Sequence, residues 1–299
     1  MTDAPRPGQP VSLAPGLRCI LAPNPSAMTL WGTNTYLLGE TEIAVIDPGP
    51  DDPRHLAAIR AALAPGQHIS HIFVTHAHLD HSPAARPLAR ATGAPVLAFG
   101  GPAAGRSALM ARLAAEGLTC GGEGVDAEFA PDICLADGAV VTGAGWQLQT
   151  LHTPGHFCNH LCFLWAGGAF TGDHVMSWAS TLISPPDGDL NDYMTSLDRL
   201  AAAHPPRLFP GHGAPVAAPA ARIADLAAHR RARTAQILAV LHDGPANAAT
   251  LAQRLYTDTP APLLPAATRN ILAHLIDIAS QKIAISEGSP SAYTLFRYL

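Results

Sequence analysis

The sequence predicts an α+β fold: a body of strands and helices over residues 17–218, then a linking helix and a small winged-helix-like domain over residues 219–299. Three observations predict it. Short apolar runs bounded by turn residues alternate with capped helical patterns through the first hundred residues. A strand-rich stretch returns near residue 146, and from about residue 219 the pattern becomes helix, turn, helix and hairpin. Residues 1–16, "MTDAPRPGQPVSLAPG", read as a flexible tail; they lack the basic start and apolar core of a secretory signal.

Taken in order, "LRCILAP", "NTYLLG" and "IAVIDPG" are successive strands of one sheet. A helix follows, with Asp52 as its cap, Pro53 at its first position, and Pro65 and Gly66 as its stop. "ISHIFVTH" is a buried strand that delivers His76 at its carboxyl end. In "SPAARPLARATG", Ser82 caps a second helix and Gly93 ends it. "APVLAFG" returns to strand, residues 103–116 to helix, and the Gly-rich "CGGEG" is a loop. "WQLQTLHT", "HLCFLWAGG" and "AFTGD" are strands, residues 189–203 a capped helix, and "RLFPGHG" a short strand and loop. A long helix through "ARIADLAAHRRARTAQILAVLH" then leads to the helical pair and the hairpin in "KIAISEGSPSAYTLFRYL".

With 299 residues, 48% of them hydrophobic and 14% charged, the chain can bury a core of enzymatic size, and no stretch approaches the length of a membrane span. Five cysteines, at 19, 120, 134, 158 and 162, show no disulfide or zinc-knuckle spacing, which fits a reducing cytoplasm; Cys158 and Cys162 read as small buried hydrophobes. Residues 229–299 hold seven Arg and Lys against four Asp and Glu, and the remainder 11 against 19, so a mildly basic tail follows an acidic body.

The densest chemistry lies in "VTHAHLDHSPAA", where His76, His78, Asp80 and His81 occupy six positions at a strand-to-helix loop. Neutral imidazoles and carboxylates bind zinc, and alternation sends His76 and His78 the same way, while Asp80 and His81 turn toward a neighbouring position, so one loop can serve two ions. His156 in "HTPGHFCNH", Asp173 in "TGDHV" and His212 in "FPGHG" follow other strands beside glycines, where backbones can approach a shared centre.

HxHxDH, "TPGH", "GD" and "PGHG" in this order, over residues 30–213, resemble the metallo-β-lactamase superfamily. "WGTNTYLLG", "IDPG", "PPDGDLNDYMTSLDRL" and the winged-helix tail extend the resemblance to the beta-lactamase-like protein 2 group. The resemblance implies a four-layer αβ/βα sandwich with a dinuclear site along one edge of its paired sheets. In it His76, His78 and His156 hold one ion, Asp80, His81 and His212 the second, and Asp173 bridges them, while Asp47 of "IDPG" supports the loop without coordinating. Asp80, Asp173, His160 and His174 are the candidate catalytic groups. His160 and His174 can donate to substrate or support the ligands from behind, and Trp178 and Tyr193 are candidates for the pocket wall.

Two zinc ions sharing a water lower its pKa toward neutrality, which yields a bridging hydroxide without a separate base. Iron or manganese also suits His and Asp ligands. The chain has no GxSxG elbow and no phosphate-cradling GxxxxGK loop, so hydrolysis of an ester, thioester or lactone is the economical reading. The beta-lactamase-like protein 2 resemblance points instead toward cleavage of single-stranded RNA, for which "HRRAR", Arg254, Arg269, Lys282 and Arg297 are the candidate phosphate contacts. A metal-sensing DNA-binding regulator is the non-enzyme alternative, disfavoured because "LPAATRNILAHLIDIASQ" offers a recognition helix only Arg269. The C-terminal region is expected to narrow access to the metals or guide a long substrate.

Overall fold

In the computed structural model, which describes residues 5–119 and 124–299, two sheets share one apolar interface. In the first, β1 (Pro10–Ala14), β2 (Leu17–Leu21), β3 (Asn34–Leu38) and β4 (Glu42–Ile46) pair antiparallel in chain order, and β5 (His68–Phe73), β6 (Val96–Ala98) and β7 (Ile133–Cys134) extend the sheet in parallel. In the second, β8 (Val140–Gly143), β9 (Trp146–His152), β10 (Leu161–Trp165) and β11 (Gly168–Gly172) form an antiparallel meander, and β12 (Leu208–Pro210) joins β11 in parallel.

Both faces of each sheet are covered. In β4, Ile43 and Val45 join the cluster that contains Ile59 of α1 (Pro53–Ala61) and Leu88 of α2 (Ala85–Thr92). Ala44 and Ile46, on the opposite face, join Leu148, Phe163 and Phe170 of the second sheet, as the period of two requires. After α3 (Ala108–Ala115), α4 (Leu190–Ala202) and α5 (Pro219–Asp243) cover the far face of the second sheet through Tyr193, Leu197, Ile223 and Leu226. The layer order is therefore helix, sheet, sheet, helix.

The C-terminal elements form a winged helix: α6 (Ala248–Leu255), a 3-10 turn (Ala261–Leu263), α7 (Leu264–Ser280), β13 (Ala284–Ser286) and β14 (Phe296–Tyr298). Their core includes Ile237 and Leu241 of α5, and also Met110 and Leu113 of α3, so the body contributes a helix to it.

Three expectations need correction. The tail is not flexible throughout, because residues 10–14 pair with β2 as a half-exposed edge strand, a position that tolerates Pro10. Ser82 does not cap α2: its hydroxyl donates to Asp126 and the His78 carbonyl, and the helix starts three residues later without a side-chain cap. The helix expected over 103–116 begins only at Ala108, where Ser107 accepts the Met110 amide. Cys120 and most of the expected "CGGEG" loop lie outside the described residues.

Candidate metal centre

The loops after β5, β11 and β12 and the loop between β9 and β10 open on one edge of the sheet pair and carry the candidate ligands, and the loop after β4 brings Asp47 to the same edge. Seven side chains gather there in two groups: His76, His78, His156 and Asp173, and beside them Asp80, His81 and His212. Within each group one potential ligand atom per residue lies within 4.8 Å of the others. Ring nitrogens face one another: His76 Nε2 is 2.8 Å and His156 Nε2 3.1 Å from His78 Nδ1, and His81 Nε2 is 3.3 Å from His212 Nε2. Neutral imidazoles can share only one proton per contact, so three nitrogens converging on one point are better satisfied by a cation.

Asp173 spans the groups. Its Oδ1 lies 3.3 Å from His212 Nε2 and 3.5 Å from His81 Nε2, its Oδ2 3.7 Å from His156 Nε2, and the buried Oδ1 has no well-aligned hydrogen bond among the described residues. Asp80 Oδ2 lies 3.1 Å from His212 Nε2. Gly211 makes this approach possible, since a Cβ there would stand 2.6 Å from Asp173 Oδ1 and 2.6 Å from His81 Cε1.

The outer nitrogen of four rings is held, which fixes the nitrogen that faces inward. His156 Nδ1 donates to the Leu182 carbonyl at 2.7 Å, and His212 Nδ1 to the Gly32 carbonyl at 3.1 Å. His81 Nδ1 lies 2.9 Å from Asp47 Oδ2, and His76 Nδ1 2.9 Å from Thr75 Oγ1, which itself donates to Asp47 Oδ2. Asp47 also accepts the Thr75 amide at 2.7 Å, so one carboxylate braces a ring in each group from a left-handed backbone position.

The two groups differ electrostatically. Burial drives the His76 ring well below its ordinary pKa, helped by His81 and His78, and brings His78 down to about 3. In the second group burial opposes charge but loses: the neighbouring Asp173 and Asp80 lift His212 to about 10 and His81 well above its usual range. Burial likewise opposes ionisation of Asp80 and Asp173, yet the two rings hold both carboxyls well below the carboxylate range. A field that favours positive charge on His81 and His212 favours a cation among them. The donor set fits a pair of divalent metals.

His160 and His174 stand behind this ring of donors, fully buried. His160 sits 5.2 Å from His76 between ring centroids and contacts Thr153 through Nδ1; His174 packs on Tyr193. Neither lines the cavity described below, so direct donation to substrate does not correspond to where they sit. Trp178 does line it, whereas Tyr193 is buried with its hydroxyl donating to the His174 carbonyl. Cys158 and Cys162 are buried, and burial pushes each thiol up to about 12. No helix among the described residues is long and apolar enough to cross a membrane.

The centre opens on a cavity of about 880 Å³ at the seam between the body and the C-terminal elements. His78, Asp80, His156, Asp173 and His212 form its floor; Met28, Met176 and Trp178 on one side and Tyr256, Leu263 and Leu264 on the other form apolar walls. Several features here have no local sequence signal: the Leu182 and Gly32 carbonyls, and the long-range contacts of "HRRAR" and Arg269. Arg230 is buried, and Arg269 donates to the Thr119 carbonyl and Ser184 Oγ, so both turn toward the body.

Residues 28–212 match the profile of the family described as "Metallo-beta-lactamase superfamily", and residues 248–292 that of the "Beta-lactamase associated winged helix domain". The chain is 30% identical over 297 residues to the beta-lactamase-like protein 2 homolog of Drosophila melanogaster, covering 93% of each chain. It is 30% identical to the atrochrysone carboxyl ACP thioesterase of Aspergillus fumigatus over 77% of this chain and 66% of that one. A metallo-beta-lactamase family protein of Thermus thermophilus superposes with a TM-score of 0.76 at 27% identity, over 96% of this chain and all of its own.

Proposed function

The chain belongs to the metallo-beta-lactamase superfamily and is a metal-dependent hydrolase, and from that premise we propose that it cleaves a thioester or related ester bearing an apolar acyl group. In this reading His76, His78 and His156 would hold one cation and Asp80, His81 and His212 a second, with Asp173, which lies beside rings of both groups, available to either. When bound, such a pair supplies a water acidified toward neutrality and a Lewis acid for a carbonyl oxygen.

The observation that carries the reading is the apolar cavity standing directly on the donor cluster. Its walls can desolvate an acyl chain, which sets the carbonyl above the floor residues and excludes bulk water from them. Asp47, Thr75 and the Leu182 and Gly32 carbonyls keep the donor rings oriented. The similarity to a fungal thioesterase supports the same class of bond. A polyanion is the poorer fit, because Arg269 is the one arginine or lysine among the described residues that line the cavity, and it is engaged with Thr119 and Ser184.

The test is to supply the purified, metal-loaded protein with a medium-chain acyl thioester, a lactone and a short oligoribonucleotide. Thioester turnover is expected, with about two equivalents of metal bound, and Asp173→Ala is expected to lower kcat/KM at least about 100-fold while the protein stays folded. Cleavage of the oligoribonucleotide with the thioester untouched would overturn the choice of bond. Full activity in Asp173→Ala would overturn the metal assignment.

A further inference from the structure

The segment from Met176 to Pro185 lies against the metal centre and is secured by side chains of α5 and α7. Arg222 donates to the Met176 and Ala179 carbonyls, both at 2.7 Å. Arg230 donates to the Thr181 carbonyl and, at 3.2 Å, to Asn270 Oδ1. The same Asn270 oxygen accepts the Ile183 amide at 3.0 Å. Between these two anchored residues stands Leu182, whose carbonyl accepts from His156 Nδ1, and Thr181 Oγ1 lies 3.0 Å from that nitrogen.

From this we infer that Arg230 and Asn270 are positioning residues for His156: through the Thr181–Ile183 backbone they fix the tautomer and direction of a ring that faces the centre. Arg230 is 2% exposed, and among the described residues no carboxylate pairs with it; its charge is spent on Thr181, Asn270 and the Tyr193 ring 5.4 Å away. A buried guanidinium without a counter-ion is costly, and an apolar residue of similar volume would fill the space at lower cost, so the carbonyl contact is what this arginine supplies. Among the described residues His156 Nδ1 has no acceptor other than this backbone and Thr181 Oγ1, so displacing Leu182 frees the ring to turn. The C-terminal helices thereby contribute to the metal centre itself, beyond lining the cavity.

The inference rests on the two-cation reading above, and the test separates the two. The full-length protein is loaded with Co²⁺, and transfer of each ion to a chromophoric chelator is timed beside a thermal melt. Asn270→Leu is expected to release one of the two ions at least about tenfold faster than the unmodified protein. Asn270→Asp, whose carboxylate still accepts from Ile183 and Arg230, is expected to stay within about twofold. Leu272→Ala, a core truncation on the same helix away from this network, is expected to lower the melting temperature but keep the original release rates. Should Asn270→Leu not fold, Arg230→Lys, which loses the forked contact but keeps a charge, is expected to show the same selective loss. Unchanged release in folded Asn270→Leu or Arg230→Lys, or equal acceleration in Leu272→Ala, overturns the inference. If the unmodified protein takes up no metal, the two-cation reading falls, and this inference with it.

Discussion

His55 shows how one buried ring connects the first helical layer to the metal loop. Its Nε2 donates to Thr35 Oγ1 at 2.8 Å, and that hydroxyl donates to the Asp47 carbonyl at 2.7 Å, while its Nδ1 is buried without a partner among the described residues. Protonation would place a second N–H at Nδ1 with nothing to receive it. Burial accordingly lowers the pKa to about 4, with Asp52 pulling weakly the other way. The unfolded chain binds this proton below about pH 6.5 and the folded chain does not until about pH 4, so stability falls as pH drops through that window and is flat above it. The full loss is about 3 kcal/mol at one pH unit per 1.4 kcal/mol. His55→Gln keeps a donor for Thr35 without the titration, so its melting temperature is expected to fall less between pH 7 and pH 5 than that of the unmodified protein. Parallel pH profiles for the two proteins would refute this account.

At the scale of elements, local pattern and long-range contact divide what the sequence could reveal. The continuous apolar run of β4, the Asp52–Pro53 start of α1 and the Asp189 cap of α4 are legible because each depends on residues within a few positions. The spacing of HxHxDH and the glycine-flanked His156, Asp173 and His212 are legible for the same reason, and the fold brings all seven together. Ser82 misled because its hydroxyl is claimed by Asp126, 44 residues away, and Arg230 because a charge pattern does not say that the side chain points inward, to a carbonyl 49 residues back. Backbone acceptors such as the Leu182 carbonyl have no letter of their own. Gly211 falls between these cases: "PGHG" signals a loop, but its proximity to Asp173 and His81 follows only from the convergence of β11 and β12. Gly211→Ala is therefore expected to push Asp173 and His81 apart and to weaken binding of the second ion at least about tenfold, read by metal titration and elemental analysis. Two ions held at unaltered affinity in the alanine variant would show that the loop gives way freely.

The whole molecule supplies what neither part has alone. The donor cluster belongs to the body, but one wall of the cavity belongs to α6, the 3-10 turn and α7, and α3 of the body is embedded in the C-terminal core. Small residues on that far wall, among them Ala249, Ala252 and Ala266, leave the volume open, while Leu263 and Leu264 bound it. Acyl length should then be read by the C-terminal wall, and the reacting carbonyl by the floor. Each methylene transferred from water to such a wall contributes about 0.8 kcal/mol, close to fourfold in kcat/KM, so a steady gain with chain length is expected until the cavity is filled. Leu264→Trp shortens the available space: kcat/KM for a long acyl thioester is expected to fall at least about tenfold, with an acetyl thioester and the metal content unaffected. Equal losses on both substrates would place the residue's influence on the metal centre, and no loss on either would move acyl recognition away from this wall.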